Sequence, residues 1–293
     1  MILAAIDIGS NASRILISES VLQENGTVTF VKLNFLRIPL RLGADVFEQS
    51  VISDVNIKRL LATFNIYKEL LDLYQVAHYK ACATSAFREA INKEEVVAKI
   101  KEASGLILEV IDGNEEAEII NENHVEKLLE PKMNYLYIDV GGGSSELALN
   151  HNGNFVFRKS FDIGTIRLLK NSVSNIQWDA FKEEIISQTK AFKSLLAIGT
   201  GGSINKIGSI LKVKEREFIE LEELITIYDE LKNCTEVERM TRFNIKRDKT
   251  DLIVPGIKVY IAIMKWANIK KIYVPRIGLI DGIIKRLFLQ NSK

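Results

Sequence analysis

Two stretches of this chain follow one plan: Ile6-Asp7-Ile8-Gly9-Ser10-Asn11-Ala12-Ser13-Arg14-Ile15-Leu16-Ile17 and, 132 residues later, Ile138-Asp139-Val140-Gly141-Gly142-Gly143-Ser144-Ser145-Glu146-Leu147-Ala148-Leu149. Each runs from apolar residues into an aspartate, through a turn of small residues, into a second apolar run, which is typical of a β-hairpin. Glycine has no Cβ and tolerates positive φ, so backbone N–H groups in such a turn can converge on an anion. Asp7 and Asp139, each at a strand end, suit a hydrated divalent cation. The repeat predicts two related domains that face a shared cleft.

The length and composition favour an ordinary globular protein of two domains. A chain of 293 residues is long for one core, and 47% hydrophobic with 26% charged residues is a common balance. No apolar run approaches the ~18 residues of a membrane span, and no signal peptide is visible after Met1. Cys82 and Cys234 lie in apolar patterns and are interpreted as reduced core thiols. These features predict a cytoplasmic protein that binds neither membrane nor nucleic acid.

Charge is unevenly distributed along the chain. Residues 1–125 hold 12 Lys and Arg against 18 Asp and Glu, and residues 126–293 hold 27 against 20. An acidic half joined to a basic half suits an anionic ligand that also needs Mg²⁺. A lysine-rich solvated face explains much of the surplus.

Apolar alternation predicts hairpin strands at residues 2–8, 13–20, 27–36, 134–139, 145–150 and 155–161. Periodicity and capping signals predict helices from Ser53, from Lys93 to Gly105 and from about Asn114 to Leu129, and short strands at 77–83, 106–111, 195–198 and 271–274. Three hairpin strands followed by alternating helices and strands, twice, indicate an α/β fold. We predict two ribonuclease-H-like (actin-like ATPase) domains with an interdomain cleft, at residues 1–125 and 126–293. The last helix, at about 279–290, is expected to pack back on the first domain.

Three further stretches carry polar groups at the ends of predicted elements. A third glycine cluster, Ala197–Ser203, follows a strand and opens a helix, which suits an anion as well as it suits an ordinary turn. Thr84–Arg88 follows a strand and offers hydroxyls and a guanidinium that match phosphate, although a solvated or salt-bridged Arg88 is as well supported. Glu115 and Glu116 lie in a first helical turn, where acids usually answer the helix dipole. Adjacent helical residues point about 100° apart, so at most one of these two faces a cleft.

Taken together, the motifs resemble those of one known family. They are Ala4–Asn11, Arg41–Gly43, Ala81–Ala90, Gly113–Ala117, Ile138–Glu146, Gly199–Ser203, Val254–Gly256 and Gly278–Leu279. Their order is similar to that of the exopolyphosphatase / guanosine pentaphosphate phosphohydrolase (Ppx/GppA) family, within the actin-like ATPase superfamily. The resemblance covers nearly the whole chain. It implies Mg²⁺-dependent release of a terminal phosphate from polyphosphate or guanosine pentaphosphate.

The resemblance also implies roles for individual residues. Glu116 is expected to be the catalytic carboxylate, and Asp139 and Glu146 the acidic pair that binds Mg²⁺ and orients water. Arg88 is expected to contact the terminal phosphoryl group, with Thr84 and Ser85 beside it. The expected phosphate-binding residues in the three turns are Gly9, Ser10, Asn11, Gly141, Gly142, Gly143, Ser144, Gly199, Thr200, Gly201 and Gly202. Oxygen ligands without a nearby His or Cys fit Mg²⁺ or Mn²⁺ better than zinc.

Three positions depart from the family pattern. Ser145 replaces a common Thr, Lys249 stands where Arg is usual, and Ile280 follows Gly278–Leu279 where Arg is usual. Losing the second arginine removes a fork donor, which weakens the expected grip on substrate. The chain also ends without the helical domains that longer members append, so processive action on long polyphosphate is not expected.

Three functions follow as hypotheses. The first is a hydrolase acting on polyphosphate, including short chains, and on guanosine pentaphosphate, with a homodimer as the expected assembly. The second is a sensor that binds guanosine tetraphosphate or polyphosphate with little hydrolysis, which Lys249 and Ile280 motivate. The third is a sugar kinase or chaperone-like ATPase of the same superfamily, for which the sequence shows no adenosine pocket.

Overall fold

A computed structural model of the protein describes residues 1–123, 133–214 and 217–292. The chain divides into two compact units, which confirms the predicted two-unit α/β organisation. The first unit comprises Met1–Asn123 and the C-terminal segment from Leu279, and the second comprises the described residues from 133 to 278. The predicted boundary at residues 125 and 126 and the predicted end of a helix near Leu129 lie outside the described residues. None of the described helices is long and apolar enough to cross a membrane.

The first unit is built on a mixed sheet with the strand order β3-β2-β1-β4-β5. Its strands are β1 (Ile2–Ile8), β2 (Ala12–Leu22), β3 (Val28–Pro39), β4 (His78–Ala83) and β5 (Leu108–Val110). Its helices before the second unit are α1 (Leu42–Gln49), α2 (Asp54–Leu73), α3 (Ser85–Glu89), α4 (Lys93–Ser104) and α5 (Gly113–Asn121). β1, β2 and β3 are antiparallel, whereas β4 runs parallel to β1. Because β1 and β4 are adjacent and parallel, their carboxyl ends lie at the same edge of the sheet.

The second unit repeats this plan. Its strands are β6 (Asn134–Val140), β7 (Ser145–His151), β8 (Asn154–Phe161), β9 (Leu195–Thr200), β10 (Phe218–Glu220) and β11 (Lys271–Tyr273), in the order β10-β11-β9-β6-β7-β8. Its helices are α6 (Thr165–Leu169), α7 (Asn175–Thr189), α8 (Gly202–Ile210), α9 (Leu221–Asn233), α10 (Glu236–Thr241) and α11 (Ile253–Trp266). β9 runs parallel to β6, as β4 does to β1. The ends of β6 and β9 are therefore neighbours.

The last helix, α12 (Leu279–Asn291), belongs to the first unit and packs on β1 and α5. Leu3, Ala5 and Cys82 share a buried apolar cluster with the inner face of this helix. A Cβ on Gly282 would lie 2.0 Å from the carbonyl oxygen of Ile119, so only glycine permits this approach of α12 to α5. At the surface, Arg286 forms an ion pair with Glu122 at 2.6 Å. α12 therefore braces the helix that carries Glu116.

Local signals placed most elements correctly. Ser53 caps α2 by accepting a hydrogen bond from the amide of Asn56, and Gly105 ends α4 with φ of 73°. Three elements, α1, α3 and β10, were not predicted from the sequence. α3 and β10 are too short to show a period, and β10 forms by antiparallel pairing with β11.

Candidate active site

The two predicted turns have the same backbone geometry. In the first, the Gly9 amide donates to the Ala12 carbonyl at 3.1 Å, and in the second the Gly141 amide donates to the Ser144 carbonyl at 2.9 Å. Ile8 then pairs with Ser13, and Val140 pairs with Ser145. Both predicted hairpins are confirmed, and each turn follows an aspartate.

In the first unit, the turn meets the start of α3. The hydroxyls of Ser10 and Ser85 are 2.7 Å apart and buried. The Thr84 amide donates to the carbonyl of Ile8, so the end of β4 is fixed beside the end of β1. The Oδ1 atom of Asn11 is buried and has no hydrogen-bond partner among the described residues. Buried polar atoms are normally satisfied, so this unpartnered acceptor is an exception within the first turn.

Arg88 and Glu116 form an ion pair in the same unit. Arg88 Nη1 donates to Glu116 Oε2 at 2.9 Å and to the Ile111 carbonyl at 3.1 Å. Asp112 caps α5 by accepting from the amides of Asn114 and Glu115, which fixes the first turn of that helix. The Glu116 side chain is only 12% exposed. Two of the predicted catalytic residues therefore lie together.

Glu115 points elsewhere, as expected for adjacent helical residues. Its carboxylate lies 3.4 Å from Arg286 and 3.9 Å from Lys80, and its side chain is 37% exposed. Of the two glutamates, Glu116 is therefore the one beside Arg88.

Asp7 is paired with Arg14, directly opposite it across the β1–β2 ladder. Arg14 Nη1 lies 2.6 Å from Asp7 Oδ2, and Asp7 is 2% exposed. Burial raises the pKa of Asp7, while the Arg14 guanidinium opposes this shift. Arg14 was not among the predicted site residues, although the register of a tight hairpin places it opposite Asp7.

Asp139 and Glu146 occupy the corresponding positions of the second unit and are cross-strand partners. Such partners project from the same face of the sheet, so their carboxylates are neighbours. Thr200 Oγ1 donates to Asp139 Oδ2 at 2.6 Å, and Ser160 Oγ donates to Glu146 Oε1 at 2.8 Å. The predicted return of the second acid beside the first is confirmed. Where the first unit pairs an acid with a base, the second pairs two acids.

The carbonyls of the second turn face α6. Gly141 accepts from the Thr165 amide, Gly142 from the Ile166 amide, and Gly143 from Arg167 Nε at 2.7 Å. In a trans peptide the N–H points opposite to the C=O, so the other side of this turn presents amide groups, including that of Ser144. A Cβ on Gly164 would lie 2.4 Å from the Gly142 carbonyl oxygen. Gly164 and Arg167 follow β8 in the chain and were not among the predicted site residues.

The third glycine cluster joins β9 to α8. β9 carries Gly199 and ends at Thr200, and Gly201 has φ of 104°, a conformation that favours glycine. A Cβ on Gly201 would lie 3.0 Å from Asp139 Oδ1, so this turn adjoins the acidic pair. A Cβ on Gly202 would lie 3.3 Å from Lys249 Nζ, which places an ammonium beside the start of α8.

The two sheets and the strand order define an α/β protein of the actin-like class, with glycine-containing turns at the ends of its strands. The chain belongs to the Ppx/GppA phosphatase family, whose model matches residues 22–291. It is similar to a bifunctional 3-dehydroquinate synthase/phosphatase of Fusobacterium nucleatum, with 30% identity over 62% of this chain and 28% of the relative. It is also similar to a guanosine-5'-triphosphate,3'-diphosphate pyrophosphatase of Aeromonas salmonicida, with 24% identity over 98% of this chain and 60% of the relative. The chain thus spans less than two thirds of either relative.

Solved structures share the fold over nearly the full chain. An exopolyphosphatase from Cytophaga hutchinsonii has a TM-score of 0.86 at 22% identity and covers 99% of this chain and 98% of its own. A Ppx/GppA family member from Aquifex aeolicus has a TM-score of 0.77 at 23% identity, with 100% and 99% covered. These likenesses confirm the predicted actin-like α/β architecture.

Proposed function

We propose that the protein is a Mg²⁺-dependent hydrolase that releases the terminal phosphate of inorganic polyphosphate, of guanosine pentaphosphate, or of both. One observation supports this function above the others: Asp139 and Glu146 are cross-strand neighbours beside the glycine turn of the second unit. Like charges opposed across a ladder repel each other, and a divalent cation bound by both would relieve that repulsion. The same cation would then lie beside the amides that bind phosphate.

The donor set fits Mg²⁺ or Mn²⁺. Oxygen atoms of Asp139, Glu146 and Thr200 are close together, and Mg²⁺ is commonly bound through one or two carboxylates plus water and substrate phosphates. Among the described residues, no group of three or more His, Cys, Asp or Glu side chains is arranged to hold a metal. Asp7 stays a predicted metal ligand, but its partner is a guanidinium. We therefore propose Asp139 and Glu146 as the direct ligands.

The remaining roles follow from position and chemistry. In phosphoryl transfer, charge spreads over three equatorial oxygens, so positioned donors provide most of the catalysis. We assign these donors to Arg88, to Asn11 and Ser10 of the first turn, and to the second and third turns. Glu116 is the general base that takes a proton from water, with Arg88 fixing its carboxylate. The bound cation supplies charge neutralisation at the phosphoryl oxygens.

The substrates that we propose are those named for proteins similar to this chain. One relative is a guanosine-5'-triphosphate,3'-diphosphate pyrophosphatase, and one similar structure is an exopolyphosphatase. Phosphate release from polyphosphates of defined length, measured beside release from guanosine pentaphosphate and ATP, would rank the substrates. Release from ATP alone would contradict the proposal. An Asp139→Asn variant serves as a matched control for contaminating phosphatase.

A non-hydrolytic sensor of guanosine tetraphosphate or polyphosphate is the second candidate. Ile280 favours it, because this side chain is 7% exposed and lies in the apolar cluster between α12 and β1, where it cannot donate to a phosphate. Tight binding of guanosine tetraphosphate with no phosphate release in saturating Mg²⁺ would support the sensor over the hydrolase.

We also propose a cytoplasmic location and a homodimer. The buried free thiols of Cys82 and Cys234 suit a reducing compartment. The family resemblance alone motivates the homodimer, and the molar mass in solution, measured by light scattering, tests it.

A further inference from the structure

A tyrosine hydroxyl lies at the point where β6 and β9 end. Tyr260, on α11, is fully buried among apolar neighbours that include Ile257 and Met264. Its hydroxyl accepts a hydrogen bond from the Val140 amide at 3.1 Å and donates one to the Thr200 carbonyl. A single phenol therefore joins the backbones of the two strands.

The position of this hydroxyl explains why a tyrosine is needed there. The parallel ladder between β6 and β9 has its last pair at Asp139 and Thr200. Beyond that pair the chains enter their glycine turns and the ladder stops. A hydroxyl can accept one hydrogen bond and donate another at the same time. Tyr260 can therefore bind one backbone group on each of the two strands, whereas phenylalanine has no hydroxyl and cannot. Without it, the Val140 amide would be left unpaired in a buried site, which is costly.

The same hydroxyl lies close to the acidic pair. Thr200, whose carbonyl it binds, donates its side-chain hydroxyl to Asp139. A Cβ on Gly201 would lie 3.0 Å from Asp139 Oδ1 and 3.3 Å from Tyr260 Oη. Burial raises the pKa of Tyr260 well above 10, and the charges of Asp139 and Glu146 add to this effect. The phenol therefore stays protonated and keeps donating at any working pH.

We propose that Tyr260 is a positioning residue: it fixes the ends of β6 and β9 so that Asp139 is held in the orientation that binds the divalent cation. This inference rests on the proposed function, which assigns Asp139 to the cation. Tyr260 is fully buried, and its hydroxyl binds backbone groups of Val140 and Thr200. It acts through Val140 and Thr200.

Titration of Mn²⁺ into substrate-free protein, followed by calorimetry, tests the proposal without depending on turnover. Tyr260→Phe removes both hydrogen bonds of the hydroxyl and should weaken Mn²⁺ binding by roughly three- to tenfold. Tyr67→Phe is the matched control, because Tyr67 is equally buried and its hydroxyl lies 2.7 Å from that of Ser13 in the first unit. It should lower the melting temperature by a similar amount and leave Mn²⁺ affinity unchanged.

The outcomes separate the two claims. If the wild type binds Mn²⁺ and Tyr260→Phe binds it equally well, the positioning role is wrong while the cation site stands. If the wild type does not bind Mn²⁺, the assignment of the cation site is wrong, and the positioning role of Tyr260 is then wrong as well. Should Tyr260→Phe fail to fold, the amide resonance of Val140 in the wild type decides, since Mg²⁺ should shift it. An unmoved resonance would overturn the inference.

Discussion

Asp139 and Glu146 are paired directly across the β6–β7 ladder, at the positions that Asp7 and Arg14 occupy in the β1–β2 ladder. One hairpin of the repeat thus carries its own cation, the guanidinium of Arg14, and the other carries two carboxylates. The two hairpins have thus diverged in charge, and this difference underlies our proposal that a divalent cation binds at Asp139 and Glu146.

This divergence predicts where a divalent cation binds. Asp139→Asn and Glu146→Gln should each weaken Mn²⁺ binding by at least about tenfold, because each removes one anionic ligand. Asp7→Asn should leave Mn²⁺ affinity nearly unchanged, although it leaves Arg14 without its carboxylate. Calorimetric titration of the three variants measures this. Loss of Mn²⁺ binding in Asp7→Asn alone would place the metal in the first unit.

Much of the fold could be predicted from the sequence because its signals are local. The hairpin turns, the Ser53 cap and the Gly105 stop each depend on a few adjacent residues. Glu116 could be preferred over Glu115 only through the family resemblance, since periodicity shows that the two diverge but not which one meets Arg88.

The residues that the sequence analysis missed depend on register or on tertiary packing. The pairing of Arg14 with Asp7 could have been predicted from the sequence, because the two are as far apart in sequence as Glu146 and Asp139. The contacts of Arg167 and Tyr260 could not have been predicted, because each side chain reaches its backbone partner from a distant element. Tyr260 is 120 residues from Val140 in sequence, and its position on α11 fits an apolar stripe.

The contact between Gly282 and Ile119 predicts a stability effect. Gly282→Ala places a methyl group 2.0 Å from the Ile119 carbonyl oxygen, so α12 must shift away from α5. We expect a loss of about 1–3 kcal/mol in the free energy of unfolding, as for overpacking elsewhere. Urea denaturation measures it.

Gly278→Ala is the matched control for this substitution, since a Cβ there meets nothing within 4 Å. It should change stability far less. Equal stability of the two variants would show that α12 does not need glycine for its approach.

Cys82 is expected to be unreactive in the folded protein. The residue is fully buried, and burial raises the pKa of its thiol to about 12. At pH 8 roughly one thiol in ten thousand is then the reactive thiolate. In a Cys234→Ala variant, a disulfide reagent should label nothing until denaturant is added. Rapid labelling of the native variant would show that β4 opens or that the thiol is accessible.

Substitution of Glu116 distinguishes most clearly between a hydrolase and a sensor that binds the same ligands without hydrolysing them. Glu116→Gln keeps the shape and a hydrogen-bonding partner for Arg88 but cannot take a proton from water. Glu115→Gln is the control, because this neighbouring glutamate faces Lys80 and Arg286 instead. Circular dichroism should show both variants folded.

The decisive measurement is the rate of phosphate release from tripolyphosphate and guanosine pentaphosphate in saturating Mg²⁺, for the wild type and both variants. We predict that Glu116→Gln lowers kcat by roughly 10²- to 10⁴-fold with substrate binding retained, whereas Glu115→Gln stays within a few-fold of the wild type. Near-normal turnover by Glu116→Gln would contradict the assignment of Glu116 as the base, and no release by the wild type from either substrate would contradict the hydrolase itself.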